Sequence, residues 1–363
     1  MKVMTVLGTR PEIIRLSRII PKLDKYCQHV LVHTDQNFEE RLNSIVFRDL
    51  GLREPDYSLG IRANTFGEQF SRIITESEQI IHKEKPDRIL ILGDTNSGLV
   101  SIIAQRAGIP VFHMEAGNRC YDLRVPEEVN RRIIDHSSTI LLPYTYRSKE
   151  NLLAEGIAGK DIYVVGNPIY EVIEHYTEDI EKSRILAELN LESGKYILVT
   201  MHRAESVDDE TRLKNILDGL GKAGKKYNLP VVCSLHPRTK NKIEKFGLKV
   251  PGNIRLLEPF GFFDFIALEK SAWCVITDSG TVQEECCIFR VPNITVRNVT
   301  ERPETIESGS NILAGVSPDM LLEAIDIVIN EPWEWNPPEE YVVKNVSSRI
   351  IKILFGYLSE NAE

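Results

Sequence analysis

Three carboxylates stand where an acid–base reaction would want them. Asp94, in Gly93-Asp94-Thr95, follows the apolar run RILIL; Glu115 follows PVFHM; Glu127 opens the proline-initiated stretch Pro126-Glu127-Glu128-Val129-Asn130-Arg131-Arg132. A carboxylate at the end of an apolar strand is costly unless it is paired or used. Asp94 alone reads equally well as a helix cap, but Glu115 gives it company. Three such groups crowding one pocket would raise at least one pKa and supply both an acid and a base near neutrality. Glu128 and Arg132 are spaced i,i+4 and read as a surface ion pair worth ~0.3 kcal/mol, which leaves Glu127 on a different side of its helix.

The cations cluster in the same manner. Arg10 lies beside a helix start whose Thr9-to-Glu12 spacing is a capping box, with Pro11 suited to the first turn; free amides there welcome phosphate. His202-Arg203 and His236-Pro237-Arg238 each end an apolar run. A lone histidine at a strand end is more often structural than a ligand. Two with adjacent arginines, opposite a helix start at Asp278-Ser279-Gly280-Thr281, make an anion site. Glu285, read as first-turn, is favoured by the macrodipole; if buried it can accept both hydroxyls of a ribose.

The elements that must position these residues are short Val-, Ile- and Leu-rich runs alternating with amphipathic stretches. KVMTVLG, HVLVHT, DRILILGD, PVFHMEAG, STILLPY and DIYVVGNP come in the first half, and KYILVTMHR, PVVCSLHP, NIRLLEP, SAWCVITDSG and PNITVRN in the second. Runs this continuous predict parallel sheets covered by helices. Ligands of such sheets collect at the carboxyl ends of the strands, here GTRPE, GDTNS, EAGNR, GNP, MHRAE, LHPRT and DSGT. The pattern restarts after Asn167-Pro168, predicting an α/β fold of two doubly wound domains over 1–168 and 169–341, with the helix VSSRIIKILFGYL in 342–363 returning to the first.

Composition narrows the function. With 363 residues, 42% apolar content and a formal charge of −9, the chain must hold any anion by a local cluster of cations, which argues against nucleic acid. Six cysteines show no CxxC spacing, the N-terminal apolar run is too short for a signal peptide, and no run approaches membrane-spanning length, so a cytoplasmic protein is expected. Metal binding finds no support, because His113 and Glu115 lack an HExxH frame and the eight histidines are scattered. Gly219–Gly224 matches GxGxxG but follows a helix-like run, so it reads as helix termination and not as a dinucleotide loop. No Walker sequence or GxSxG elbow occurs.

GTRPE, LGDT, HMEAG, PEEVNRR, the HR after a strand, DSG-x-x-QEE and TERPE occur in this order. Together they make the chain resemble the non-hydrolysing UDP-N-acetylglucosamine 2-epimerases over its whole length. The resemblance implies the GT-B arrangement, two Rossmann-like domains facing a cleft, as a homodimer acting on a UDP-sugar with no cofactor or metal. It implies that Arg10, Ser279, Gly280, Thr281, His202 and Arg302 lie by the UDP phosphates, with Arg203 and His236 nearby. Phe260 and Phe265 would lie beside the uracil, Glu285 on the ribose, and Asp94, Glu115 and Glu127 at the reacting carbon. The implied chemistry removes the proton at carbon 2 while UDP leaves carbon 1, then re-adds UDP to the 2-acetamidoglucal with protonation on the opposite face.

The chain departs from the common members in several places. Asn118-Arg119-Cys120-Tyr121-Asp122 replaces Leu-Arg-Thr or Leu-Arg-Ser after EAG; Arg15 replaces a lysine among the substrate contacts; Gly280-Thr281 replaces a glycine pair. These differences, with RPEIIRLSR and PFGFFDF, resemble the branch that makes UDP-N-acetyl-L-fucosamine from a 6-deoxy-L-talose precursor. Gln36-Asn37-Phe38 stands in place of a glutamine-histidine-arginine run associated with allosteric UDP-N-acetylglucosamine, so weak or absent activation by that nucleotide is expected. A GT-B glycosyltransferase and a non-catalytic UDP-sugar sensor are the alternatives; the carboxylate trio argues against the first, and the second requires that Asp94→Asn or Glu115→Gln leave function unchanged.

Overall fold

The structure, a computed structural model, describes residues 1–35, 40–63, 65–331 and 334–357. Gln36-Asn37-Phe38 lies outside the described residues, as do two residues of the Pro- and Trp-rich segment at 332–341 and the end of the last apolar segment.

The Val-, Ile- and Leu-rich runs form two six-stranded sheets. The first comprises β1 (Lys2–Leu7), β2 (Gln28–His33), β3 (Tyr57–Ser58), β4 (Arg88–Leu92), β5 (Val111–Met114) and β6 (Ile140–Leu142), in the order β3-β2-β1-β4-β5-β6. The second comprises β7 (Ile197–Met201), β8 (Val231–Leu235), β9 (Ile254–Leu257), β10 (Cys274–Thr277), β11 (Asn293–Thr295) and β12 (Asn311–Leu313), in the order β12-β11-β10-β7-β8-β9. Every named pairing is parallel. The central strands are buried on both faces, which is why they read as unbroken apolar runs. Both orders are doubly wound and reverse direction once, between β1 and β4 and between β7 and β10, and crevices for ligands open at such reversals.

The chain divides into two units. One holds Met1–Glu174 and Glu339–Glu363, the other His175–Pro338. Within the first, the helix Val346–Gly356 buries Val346, Ile350 and Leu354 at i,i+4 spacing. Lys22 Nζ donates to Ser347 and Ser348 at 2.6 and 2.8 Å, and the Ser347 amide donates to Glu171 at 2.8 Å. No helix among the described residues is long and apolar enough to cross a membrane.

Three sequence expectations are corrected. DIYVVGNP is no strand: it makes a single bridge, Leu141 to Ile162, then turns at Gly166 (φ +92°) so that the Asn167 amide bonds Glu340 O. The two short strands β3 and β12 were absent from the reading. Gly219–Gly224 does not end a helix; it lies inside the helix Glu210–Tyr227, which ends at left-handed Asn228. Those glycines serve packing: a Cβ on Gly221 would meet Pro251 at 2.7 Å, and one on Gly224 would meet Asn253 at 2.6 Å.

Candidate active site

In the first unit the reversal point is organised around Glu12. This residue belongs to the helix Arg10–Leu16 and is only 1% exposed. The expected capping box does not form: Thr9 makes no side-chain cap, and Glu12 takes its amide bond from Gly8 and not from Thr9. Instead the Thr9 hydroxyl donates to Glu12 Oε2 at 2.7 Å and the Gly8 amide donates to the same oxygen at 3.1 Å. Ser97 and Thr95 hydroxyls, from the loop after β4, donate to Oε1 at 2.8 and 3.2 Å. Burial pushes the Glu12 carboxyl above its ordinary pKa, and these donors only partly offset it. Glu12 therefore ties the Arg10 loop to the Asp94 loop, a larger task than closing one helix. Arg10 itself is half-buried at the start of that helix.

Asp94 and Glu115 end the neighbouring strands β4 and β5, and each faces a guanidinium. Asp94 Oδ2 accepts from Arg131 Nη2 at 2.6 Å and Nε at 3.1 Å. Glu115 Oε2 accepts from Arg15 Nη1 at 2.7 Å, while Oε1 accepts from Asn118 Nδ2 at 3.1 Å. Arg15, expected among the substrate contacts, is buried there, its guanidinium 5.6 Å from the Tyr144 ring centre. Glu115 adopts a left-handed backbone (φ +65°), and a Cβ on Gly93 would lie 3.5 Å from its Oε2. The two acids are thus held by arginines, and not merely crowded against one another as the sequence suggested.

The helix Pro126–His136 docks on this point. Asn130 Nδ2 donates to Asp94 O at 3.0 Å and to Asn96 Oδ1 at 2.9 Å. Glu127 is partly exposed in its first turn, one turn before Arg131. The reading of Glu128 as a surface partner of Arg132 is wrong. Glu128 is fully buried and accepts from Arg131 (3.0 Å), Arg132 (3.1 Å) and the Cys120 amide (3.0 Å), so that Arg131 is flanked by Asp94 and Glu128.

Beneath both acids runs a buried chain that the sequence did not reveal. His113 bonds Gly93 O and Asp135 Oδ1, each at 2.9 Å; Asp135 also meets Arg119 at 2.8 Å and the Gly117 amide at 3.2 Å. Burial works against the Asp135 carboxylate, yet His113 and Arg119 outweigh it and hold its pKa below the usual range. Gly117 (φ +82°) has no room for a side chain, since a Cβ would lie 2.2 Å from Ser148 O.

The second unit reverses the signs. Asp278, fully buried at the end of β10, accepts from the His202 amide at 3.0 Å and the Arg203 amide at 2.9 Å. The His202 and His236 rings lie 5.4 Å apart, and His236 Nδ1 accepts the Arg238 amide as a helix cap. Arg203 lies 3.7 Å from Glu301, which is also gripped by Arg297 at 2.8 and 3.0 Å. Arg302 pairs with Glu284 and comes so near the helix start that a Cβ on Gly280 would lie 3.5 Å from its Cζ. The helix Gly280–Phe289 begins after Ser279, whose side chain makes no capping bond to its first amides, and Thr281 in its first turn is half-buried.

Three placements in this unit sharpen or correct the reading. Glu285 is buried in the second turn of that helix, not the first, so the macrodipole gives no account of it. Arg238 turns to Asp208 at 2.6 Å as an exposed pair. Phe260 and Phe265 pack half-buried against the core around Leu268 and Val275. The residues missed were the charged partners Arg131, Asp135, Glu284 and Glu301, while Asn118 and Asp278 were noticed in the sequence but not as hydrogen-bond partners. The only signal of the charged partners was charge opposite to that of the site residues, inside the quoted motifs for Arg131, Glu284 and Glu301 and just beyond one for Asp135.

Fold and site together define a two-unit, doubly wound α/β enzyme of the GT-B class; the glycosyltransferase WaaG, 11% identical with a TM-score of 0.62, shares this fold. Residues 22–355 match the family profile described as UDP-N-acetylglucosamine 2-epimerase. The UDP-N-acetylglucosamine 2-epimerase of Methanocaldococcus jannaschii is 42% identical, covering 98% of this chain and 99% of its own. Its crystal structure in complex with UDP-GlcNAc and UDP has a TM-score of 0.93 and covers 98% of this chain and 100% of that one. A UDP-2,3-diacetamido-2,3-dideoxy-D-glucuronate 2-epimerase of Pseudomonas aeruginosa is 37% identical over 89% of this chain and 91% of its own. The chain belongs to the UDP-N-acetylglucosamine 2-epimerase family, which makes it an isomerase.

Proposed function

We propose that the chain is a non-hydrolysing UDP-N-acetylhexosamine 2-epimerase that inverts carbon 2 by reversible elimination and re-addition of UDP. The observation that carries this reading is the pair of arginine-clamped acids at adjoining strand ends, Asp94 with Arg131 and Glu115 with Arg15. The guanidinium in each pair fixes the geometry of the carboxylate it holds. The proton at carbon 2 is weakly acidic, so much of the barrier must fall through stabilising the departing diphosphate. His202, Arg203, Arg302 and the helix start at Gly280 supply the cations and amides for it, and Glu285 receives the ribose. Glu127 completes the acid–base set, and the working form is a homodimer.

UDP-N-acetylglucosamine is the first substrate, on the strength of the Methanocaldococcus relative. UDP-2-acetamido-2,6-dideoxy-L-talose is the second, favoured by Asn118, which stands directly against Glu115 in the segment that departs from common members. Proton NMR of each nucleotide sugar with the enzyme in deuterated water tests both. Deuterium should enter carbon 2 of the epimerised product of one of them. No exchange with either removes the reading, and accumulation of free UDP with the free sugar indicates hydrolysis instead.

A further inference from the structure

Glu115 is held from two directions of different chemical character. Oε2 meets the Arg15 guanidinium at 2.7 Å and Oε1 meets the Asn118 amide at 3.1 Å. The orientation of that amide follows from its other end. Thr145 Oγ1 donates to Ser148 Oγ at 3.1 Å, which leaves the Ser148 hydroxyl proton for Asn118 Oδ1 at 3.0 Å. Rotating the amide by half a turn would set its oxygen against the Glu115 carboxylate, two acceptors with no proton between them. The Thr145-to-Ser148-to-Asn118 relay is therefore directional. It delivers an N–H to the carboxylate and runs through buried groups, with Thr145 and Ser148 each 4% exposed and Asn118 8% exposed.

The geometry points to Asn118 as a positioning residue: with Thr145 and Ser148 behind it, it fixes the plane of the Glu115 carboxylate by occupying Oε1 while Arg15 occupies Oε2. Leucine, the residue at this place in the common members from which the sequence departs here, donates no hydrogen bond. In this chain Glu115 thus carries a second, uncharged restraint. The Glu115 backbone is itself in the left-handed region (φ +65°), a conformation costly for a residue with a side chain. The effect on turnover rests on the epimerase reading given above; the effect on the Glu115 carboxylate does not.

The test uses Asn118→Leu, Asn118→Asp and Ser148→Ala in the full chain. Asn118→Leu should lower kcat about 10- to 100-fold with KM changed less than about 2-fold, as a misplaced catalytic group does. The acid limb of its pH–rate profile should move to higher pH, because the ionised form loses a donor. Asn118→Asp, which sets a like charge against Glu115, should move the limb further, and Ser148→Ala should give a smaller shift in the same direction. Unshifted limbs, or losses carried by KM alone, overturn the proposal. The same variants are titrated by carbon-13 NMR with glutamate side-chain carboxyls labelled, Glu115→Gln assigning the signal. A Glu115 midpoint that rises in Asn118→Leu supports the proposal even if no substrate is turned over, and one that stays put overturns it. Absent carbon 2 exchange in the parent enzyme alone counts against the functional reading and leaves this titration to decide Asn118.

Discussion

At the reversal between β1 and β4 the buried acid is Glu12, and between β7 and β10 it is Asp278. Glu12 sits on the helix after the first of its strands and reaches for hydroxyls after the second; Asp278 ends the second of its strands and reaches for amides after the first. Each thereby sews the two loops of its crevice together. Around them the charges are opposite. In the first unit the acids Asp94 and Glu115 are backed by Arg131 and Arg15, whereas in the second the cations Arg203 and Arg302 are backed by Glu301 and Glu284. One topology thus carries two chemistries. Strand order decides where a site lies, and a few strand-end residues with their partners decide its sign.

The sharpest way to break that division is to neutralise the acids. Glu115→Gln and Asp94→Asn should each slow carbon 2 exchange on the order of 10³-fold, about 4 kcal/mol, while calorimetric UDP affinity shifts less than about 3-fold. Equal losses in both would mean that the charges do not divide the work. Next in size is Asp278→Ala, which orphans two main-chain amides. Denaturant unfolding should lose about 2–4 kcal/mol with weakened UDP binding, whereas an unchanged midpoint would deny Asp278 its role.

The first unit also contains two buried acids of opposite pH behaviour. Glu12 has a raised pKa in the folded state, so its contribution is fully present below the unfolded value near ~4.3 and is lost as pH climbs through the folded value. Asp135 has a lowered one, so its contribution is present above ~3.9 and is lost as pH falls through the folded value. Stability–pH curves should lose the falling limb in Glu12→Gln and the acid limb in Asp135→Asn; parallel curves would refute both assignments. Smallest of all should be Arg238→Ala. Its exposed pair with Asp208 is worth about 0.5 kcal/mol, and UDP affinity should hold within about 2-fold.

The strand-end acids and cations were legible because each follows an unbroken apolar run, and burial on both sheet faces writes that run into the sequence. Their partners were not. Arg131 lies 37 residues from Asp94 and Arg15 lies 100 from Glu115, and only folding joins them. The spacing rule behind Glu128 and Arg132 found a real pair but misjudged its depth, because the pattern along one helix does not say what covers that helix. The strand β3 spans only two residues, too few for a period. The glycines of Gly219–Gly224 misled for a different reason: they answer to Pro251 and Asn253 across the packing interface, and no local signal separates that demand from a helix end.

The return of the chain to its starting unit governs the order in which the molecule becomes complete. His175–Pro338 is continuous and can close on itself once it has left the ribosome. The other unit is completed by the helix Val346–Gly356, which follows the whole of His175–Pro338 in the chain and brings Ser347 and Ser348 to Lys22. The arginine-clamped acids therefore belong to a body whose chain is begun before the other unit and finished after it.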